Sequence, residues 1–120
     1  MPLSRSDIIR HCFGAYKSKD RKALEELLSD DFTFTSPYDD AIDKATYFER
    51  CWPNSEQIRE HVIERIFRED DAAFVTYKCI TDDGKEFRNT EFFTFMGDRI
   101  KTVDVYFGAT YRNGAFVKQQ

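Results

Sequence analysis

Hydrophobic residues follow a helical spacing in the first half of the chain. They recur every three or four positions behind Ser4 and again behind Asp20, and both residue types are favoured at helix N-termini. A third short segment of this kind begins after Asp43 and stops at Pro53. The pattern therefore predicts three N-terminal helices.

Strict alternation of apolar and polar residues, typical of a β-strand, appears first in FTFTSP, which Pro37 ends. From about Ser55 onward, four longer β-rich stretches follow one another, separated by turn signals at Asp70-Asp71, Asp83-Gly84 and Gly97-Asp98. Helices first and consecutive strands afterwards indicate a single α+β domain over residues 1–120, with three helices packed in an antiparallel sheet.

The hairpin around Gly84 decides where Glu91 points. A two-residue turn at Asp83-Gly84 pairs Thr76 with Glu91. Because side chains alternate along strands, one face then carries Phe74, Thr76, Lys78, Ile80, Phe87, Asn89, Glu91, Phe93 and Phe95. The other face carries Val75, Tyr77, Cys79, Arg88, Thr90, Phe92 and Thr94. The first face is richer in phenylalanine, so we expect it to face the core.

Two interpretations of Glu91 remain open on this register. In one, it lies near a rim, solvated or paired with Lys78. In the other, it lines an apolar cavity, where removal from water raises its pKa. A neutral acid in that position donates a hydrogen bond to a ligand carbonyl or serves as a general acid or base.

The amino-acid composition argues against several classes of binding partner. A net charge of −4, with no basic stripe, argues against nucleic acid and against anionic membrane surfaces. The sequence has no apolar run of about 20 residues and no signal-peptide pattern at its start, so we expect a cytoplasmic protein. Cys12, Cys51 and Cys79 are widely spaced and are expected to be reduced core residues. Twelve Phe, six Tyr and one Trp suggest a thick core, an apolar cavity or a self-association face.

Three segments carry a resemblance to a known family: LLSDDFTFTSP, RNTEFFTF and RIKTVDVYFG. With the order of predicted elements, they resemble the nuclear transport factor 2-like superfamily, especially its SnoaL-like and ketosteroid-isomerase-like members. The resemblance implies a cone of three helices wrapped by a strongly curved antiparallel sheet. It also implies a pocket in the cone and a homodimer through the outer face of the sheet.

The resemblance to ketosteroid isomerases can be followed residue by residue. The position of their proton-shuttling Asp is occupied by Ser36, and that of their oxyanion-binding Tyr by Cys12. Their protonated Asp donor corresponds to Glu91, a substitution that retains the acid. The match therefore disfavours steroid isomerisation and retains only the acid. Polyketide cyclases of the superfamily use Asp/His pairs in the pocket. The nearest candidates here are Asp39, Asp40 and His61, but none of them matches such a motif convincingly.

From the register and the resemblance together we expect acid–base residues Glu91, Asp39 and Tyr38. The expected ligand-binding residues are Phe34, Phe48, Trp52, Lys78, Asn89, Phe93, Val103 and Val105. His11 and His61 are more often surface or structural histidines than catalytic ones. The sequence has no metal-binding, phosphate-loop or nucleophile motif, so we expect neither metal nor cofactor.

Three functions follow as alternatives. The first is a binding protein for a small, mostly apolar molecule. The second is a cofactor-free isomerase, cyclase or dehydratase that uses Glu91 in acid–base chemistry. The third is a dimerisation module with a filled cone and no ligand.

Overall fold

The computed structural model describes residues 4–118 and contains the three predicted helices. They are α1 (Arg5–Ser18), α2 (Arg21–Leu27) and α3 (Lys44–Arg50), and a 3-10 helix, Trp52–Gln57, follows α3. The side chains of Ser4, Asp20 and Asp43 accept hydrogen bonds from backbone N–H groups in the first turn of each helix, at 3.1, 3.1 and 2.9 Å. The caps inferred from the sequence therefore set all three helix starts.

Seven strands form one curved, mixed sheet against which the helices pack. They are β1 (Leu28–Ser36), β2 (Asp39–Asp43), β3 (Ile58–Glu69), β4 (Ala72–Thr81), β5 (Lys85–Met96), β6 (Arg99–Arg112) and β7 (Ala115–Val117). The order is β2-β1-β6-β5-β4-β3, with β7 paired to β6, so β2 and β3 lie at the edges. One pairing departs from the antiparallel expectation, because β1 runs parallel to β6.

The core lies between the helices and the concave face of the sheet. Its fully buried side chains include Ile8 and Ile9 of α1, Leu24 of α2, Phe32 of β1 and Phe93 of β5. Burying each such side chain contributes about 1.5–3 kcal/mol before the entropy cost of ordering it. Among residues 4–118, no helix is long and apolar enough to cross a membrane.

The register predicted for the β4–β5 hairpin is wrong by one residue. Glu91 pairs with Val75, and the turn consists of Asp82, Asp83 and Gly84 instead of two residues. Gly84 has a φ of +87° and donates its backbone N–H to the carbonyl oxygen of Thr81 at 3.0 Å. A three-residue turn with glycine in the left-handed region is a common hairpin connection, whereas the predicted register assumed a turn of two residues.

This correction exchanges the two faces of β4 and leaves those of β5 unchanged. Val75, Tyr77 and Cys79 are buried on the concave face, whereas Phe74 is exposed on the outer face. Glu91 lies on the concave side, as predicted. The error came from the turn alone, because side-chain alternation within each strand was read correctly.

A β-bulge interrupts the pairing of β5 with β6 next to Asn89. Phe87 pairs with Thr110 and Asn89 with Phe107, so Gly108 and its successor lie opposite Arg88 alone. A Cβ atom at Gly108 would lie 2.1 Å from the Arg88 carbonyl oxygen, far inside van der Waals contact. The close approach of the two strands at the bulge therefore requires glycine.

Candidate functional site

A cavity of about 600 Å³ lies between the helices and the concave face of the sheet. This volume is within the range of small-molecule sites in proteins. Most of its wall is apolar, formed by side chains that include Phe13, Leu28, Phe32, Phe34, Ile58, Phe93, Val103 and Val105. A cavity of this size and lining accommodates a molecule of one to a few rings.

Glu91 faces this cavity and is held by a chain of hydrogen bonds across the sheet. Tyr77 donates its hydroxyl to Glu91 Oε2 at 2.5 Å. Asn89 Nδ2 donates to Tyr77 Oη at 3.2 Å, and the backbone N–H of Gly108 donates to Asn89 Oδ1 at 3.4 Å. The four residues come from β4, β5 and the bulge in β6, so the sheet itself holds the carboxyl in place.

Burial raises the pKa of Glu91 from its ordinary value of 4.5 to about 7. The hydrogen bond from Tyr77 lowers the pKa, but loss of hydration outweighs it. The side chain is partly exposed, and it lines the cavity. Near neutral pH the carboxyl is therefore present in both its neutral and its ionised form.

Two further hydroxyl groups enter the cavity from the helices. Tyr16 of α1 and Tyr47 of α3 hydrogen-bond to each other, and both line the cavity. Burial raises the pKa of each phenol well above 10. Burial likewise raises the pKa of the Cys12 thiol, which also lines the cavity. These groups therefore stay uncharged, and they offer hydrogen bonds without charge.

His61 of β3 lines another part of the wall, between aromatic rings. Its ring centroid lies 5.0 Å from that of Phe13 and 5.3 Å from that of Tyr77. Its Nδ1 is buried without a hydrogen-bond partner among the described residues. Burial, with a smaller contribution from the charge of Lys19, lowers the pKa of His61 to about 4. The imidazole is therefore neutral near pH 7.

Asp39 and Tyr38 are positioned by the turn between β1 and β2. Asp39 Oδ1 lies 2.7 Å from Arg50 Nη2, and the Cys51 thiol donates to its Oδ2 at 3.8 Å. Tyr38 is largely exposed, and its ring lies 5.5 Å from that of Phe107. Both line the cavity, but β2 and β5 are separated by two strands, roughly 14 Å at ordinary strand spacing. Asp39 therefore forms no direct pair with Glu91.

The expected ligand-binding residues fall into two groups. Phe34, Asn89, Phe93, Val103 and Val105 all line the cavity together with Glu91. The remaining three do not line it: Phe48, Trp52 and Lys78.

The three exceptions have separate physical reasons. Lys78 lies on the outer face, because of the register correction, and its Nζ is 3.1 Å from Glu86 Oε1. Phe48 is buried, with the guanidinium group of Arg21 over its ring at 4.8 Å. The Trp52 ring packs behind Tyr16, at 5.0 Å between centroids. The prediction that these three side chains line the cavity is therefore wrong.

Three polar groups of the cavity were not predicted from the sequence: the hydroxyls of Tyr77, Tyr16 and Tyr47. The register error places Tyr77 on the outer face, and no pattern in the sequence singles out Tyr16 or Tyr47. A signal for Tyr77 was present, because Ala73, Val75 and Cys79 share its alternation and carry no charge, whereas the competing face contains Lys78. Within residues 4–118, no group of three or more His, Cys, Asp or Glu side chains is arranged to hold a metal ion.

The SnoaL-like domain model matches residues 9–103, and the chain belongs to this family. Among solved structures, it is similar to a nuclear transport factor 2-like protein from Cytophaga hutchinsonii (18% identity, TM-score 0.74, covering 89% of this chain and 92% of that one). It is also similar to a provisionally assigned polyketide cyclase from Sinorhizobium meliloti (21%, 0.68, 83% and 94%).

A protein of ketosteroid isomerase-like fold from Catenulispora acidiphila, solved in complex with trimethylamine, is similar as well (13%, 0.69, 92% and 88%). No curated protein matches the chain. At these identities the structural likeness shows the fold alone, a nuclear transport factor 2-like α+β cone.

Proposed function

We propose that this protein binds a small, mostly apolar molecule in its cavity and donates a hydrogen bond from the neutral Glu91 carboxyl to an oxygen of that molecule. The observation that carries this proposal is a carboxyl facing an aromatic cavity with a pKa of about 7. None of the described residues forms a salt bridge with Glu91, so no fixed cation favours its ionised form.

The chemistry of the cavity points to a neutral carbonyl compound as the ligand. Its interior polar groups near Glu91 include the Asn89 amide, the Tyr16–Tyr47 pair, the Cys12 thiol and the Tyr77 hydroxyl. Burial keeps the phenols and the thiol uncharged. Bringing a second ion into such surroundings is costly, whereas a ketone or enone loses little hydration. Charged ligands are therefore disfavoured, apart from a cation that pairs with ionised Glu91.

Native mass spectrometry of freshly purified protein is the first experiment, since it reports both a retained molecule and the oligomeric state. A panel of neutral aromatic ketones then tests the chemistry by calorimetry. We expect tighter binding at pH 5.5 than at pH 8.5, and a loss of about 1–3 kcal/mol in Glu91→Leu, the scale of an unpaired hydrogen bond. Tighter binding of amines at pH 8.5, with no binding of ketones, would contradict the proposal.

Acid–base catalysis of the isomerase, cyclase or dehydratase kind is the second candidate function. It is favoured by the pKa of Glu91, because a general acid or base works best with a pKa near the operating pH. Asp39 and Tyr38 are candidates for a second group at the cavity mouth. If catalysis occurs, Glu91→Gln should lower kcat by roughly two to four powers of ten and remove one arm of the pH–rate profile.

We also propose a homodimer through the outer face of the sheet. Phe67, Phe74 and Phe92 form a cross-strand row there, and Phe67 and Phe74 are exposed. Tyr106 is exposed on the neighbouring strand. Stable interfaces bury about 800 Å² per partner. Because Phe74→Glu puts a charge on this face, it should raise the dimer dissociation constant at least tenfold, measured by light scattering. If the protein forms a dimer but neither retains a molecule nor binds any added ligand, the result favours the third alternative, a dimerisation module.

We also propose that the protein is cytoplasmic. Cys12, Cys51 and Cys79 are free thiols, as is usual in reducing compartments.

A further inference from the structure

The hydrogen bonds that end at Glu91 run in one direction only. Asn89 Oδ1 accepts from the Gly108 backbone N–H, so its amide nitrogen must face Tyr77. Tyr77 Oη accepts from that nitrogen and has a single proton, which it donates to Glu91 Oε2. A backbone N–H cannot act as an acceptor, so the first bond fixes the direction of the second, and the second uses one acceptor site of the Tyr77 oxygen and leaves its proton for Glu91.

This direction determines where Glu91 holds its own proton. Oε2 accepts from Tyr77 and is therefore the less favourable site for protonation. Oε1 accepts no hydrogen bond from the residues that the structure describes, and the carboxyl lines the cavity. The proton of the neutral acid consequently sits on Oε1 and is available to a molecule in the cavity.

We propose that Asn89, oriented by the Gly108 N–H at the β6 bulge, is a positioning residue that fixes the Tyr77 hydroxyl and so presents the Glu91 proton to the cavity on Oε1. Without the Asn89 amide, the Tyr77 hydroxyl is free to turn and accept the Glu91 proton, which would then no longer face the ligand. The use made of the proton rests on the proposed function, whereas the hydrogen-bond chain does not.

The test is a double-mutant cycle read by the carboxyl ¹³C shift of Glu91 during a pH titration of the ligand-free protein. Asn89→Leu removes the donor to Tyr77, so Tyr77 becomes a weaker donor and the pKa of Glu91 rises by about half a unit. Tyr77→Phe removes the last bond and raises the pKa by about one unit. In the Tyr77→Phe background, Asn89→Leu should then have no further effect.

Thr90→Val is the matched control. Thr90 precedes Glu91, and its hydroxyl bonds that of Thr76 at 2.8 Å across the same two strands, but on the outer face. The Thr90→Val substitution should leave the pKa of Glu91 unchanged. Equal shifts from Asn89→Leu in both backgrounds, or no shift in either, would overturn the positioning role. If Asn89→Leu does not fold, Asn89→Ser tests the same point, because serine is too short to reach Tyr77.

Calorimetry with a neutral aromatic ketone separates this inference from the proposed function. The expected result is a several-fold loss of ketone affinity in Asn89→Leu that is absent in the Tyr77→Phe background. If the titration shows coupling between Asn89 and Tyr77 but no variant binds the ketone, the positioning role is supported and the binding proposal is wrong. Ketone binding that tightens at low pH, without coupling in the titration, would do the reverse.

Discussion

Replacing Glu91 by Gln should change how the stability of the protein depends on pH. Gln mimics the neutral acid, because its carbonyl oxygen can accept from Tyr77 while its amide group faces the cavity. Glu91 in the wild type has a pKa of about 7 when folded and about 4.5 when unfolded. Between these values the folded state binds more protons than the unfolded state, so the free energy of unfolding falls as pH rises.

The size of the effect follows from the shift. One pKa unit corresponds to 1.36 kcal/mol, so a shift from 4.5 to about 7 is worth about 3 kcal/mol in full. Most of that is lost between pH 5 and pH 8. We therefore expect Glu91→Gln to gain about 2–3 kcal/mol relative to the wild type over this interval.

Urea unfolding of both proteins at several pH values between 5 and 8 measures this difference directly. Subtracting one curve from the other removes the contributions of all groups that titrate alike in both proteins. The difference should rise through the interval and level off above pH 7. If the two curves run parallel, Glu91 is hydrated in the folded protein, and both the raised pKa and the binding proposal fail.

Four further substitutions test other parts of the structure. His61→Phe should gain stability relative to the wild type as the pH falls from 6.5 to 4, measured by urea unfolding, whereas Glu91→Gln gains stability as the pH rises. The reason is that the pKa of His61 is lowered in the folded protein, so its protonation favours the unfolded state. Gly108→Ala should lower the free energy of unfolding by about 1–3 kcal/mol. Gly14→Ala, at a position in α1 with open space around it, should raise the free energy of unfolding by up to about 1 kcal/mol. Chemical denaturation of both variants measures these changes. Lys78→Met should cost less than about 1 kcal/mol, since its pair with Glu86 is partly exposed, and should leave the Glu91 titration in place.

Local signals in the sequence were sufficient for much of the fold. Ser4, Asp20 and Asp43 marked the helix starts because a capping side chain acts within one turn of its own position. Pro37 marked the end of β1 for the same kind of local reason. The parallel pairing of β1 with β6 left no such signal, because it joins segments about 70 residues apart.

The candidate site was predicted only in part, and the reason is again the range of the interactions. Glu91 was placed correctly because alternation along β5 is a local property. Tyr77 and Lys78 were exchanged because the faces of β4 depend on whether the turn has two residues or three. Tyr16 of α1 and Tyr47 of α3 meet only through the tertiary fold, which the spacing of residues within either helix does not encode.

The two edges of the sheet govern how this protein can associate with itself. Half of the twelve residues of β3 are charged, and a bulge near Ile63 twists this edge strand. The opposite edge, β2, has only five residues. Long flat edges invite strand addition and fibre growth, and charge, bulges and short strands oppose it. Open-ended addition of strands is thus opposed at both edges, which favours the proposed face-to-face homodimer, and neutralising the charges of β3 should make concentrated solutions aggregate before they unfold.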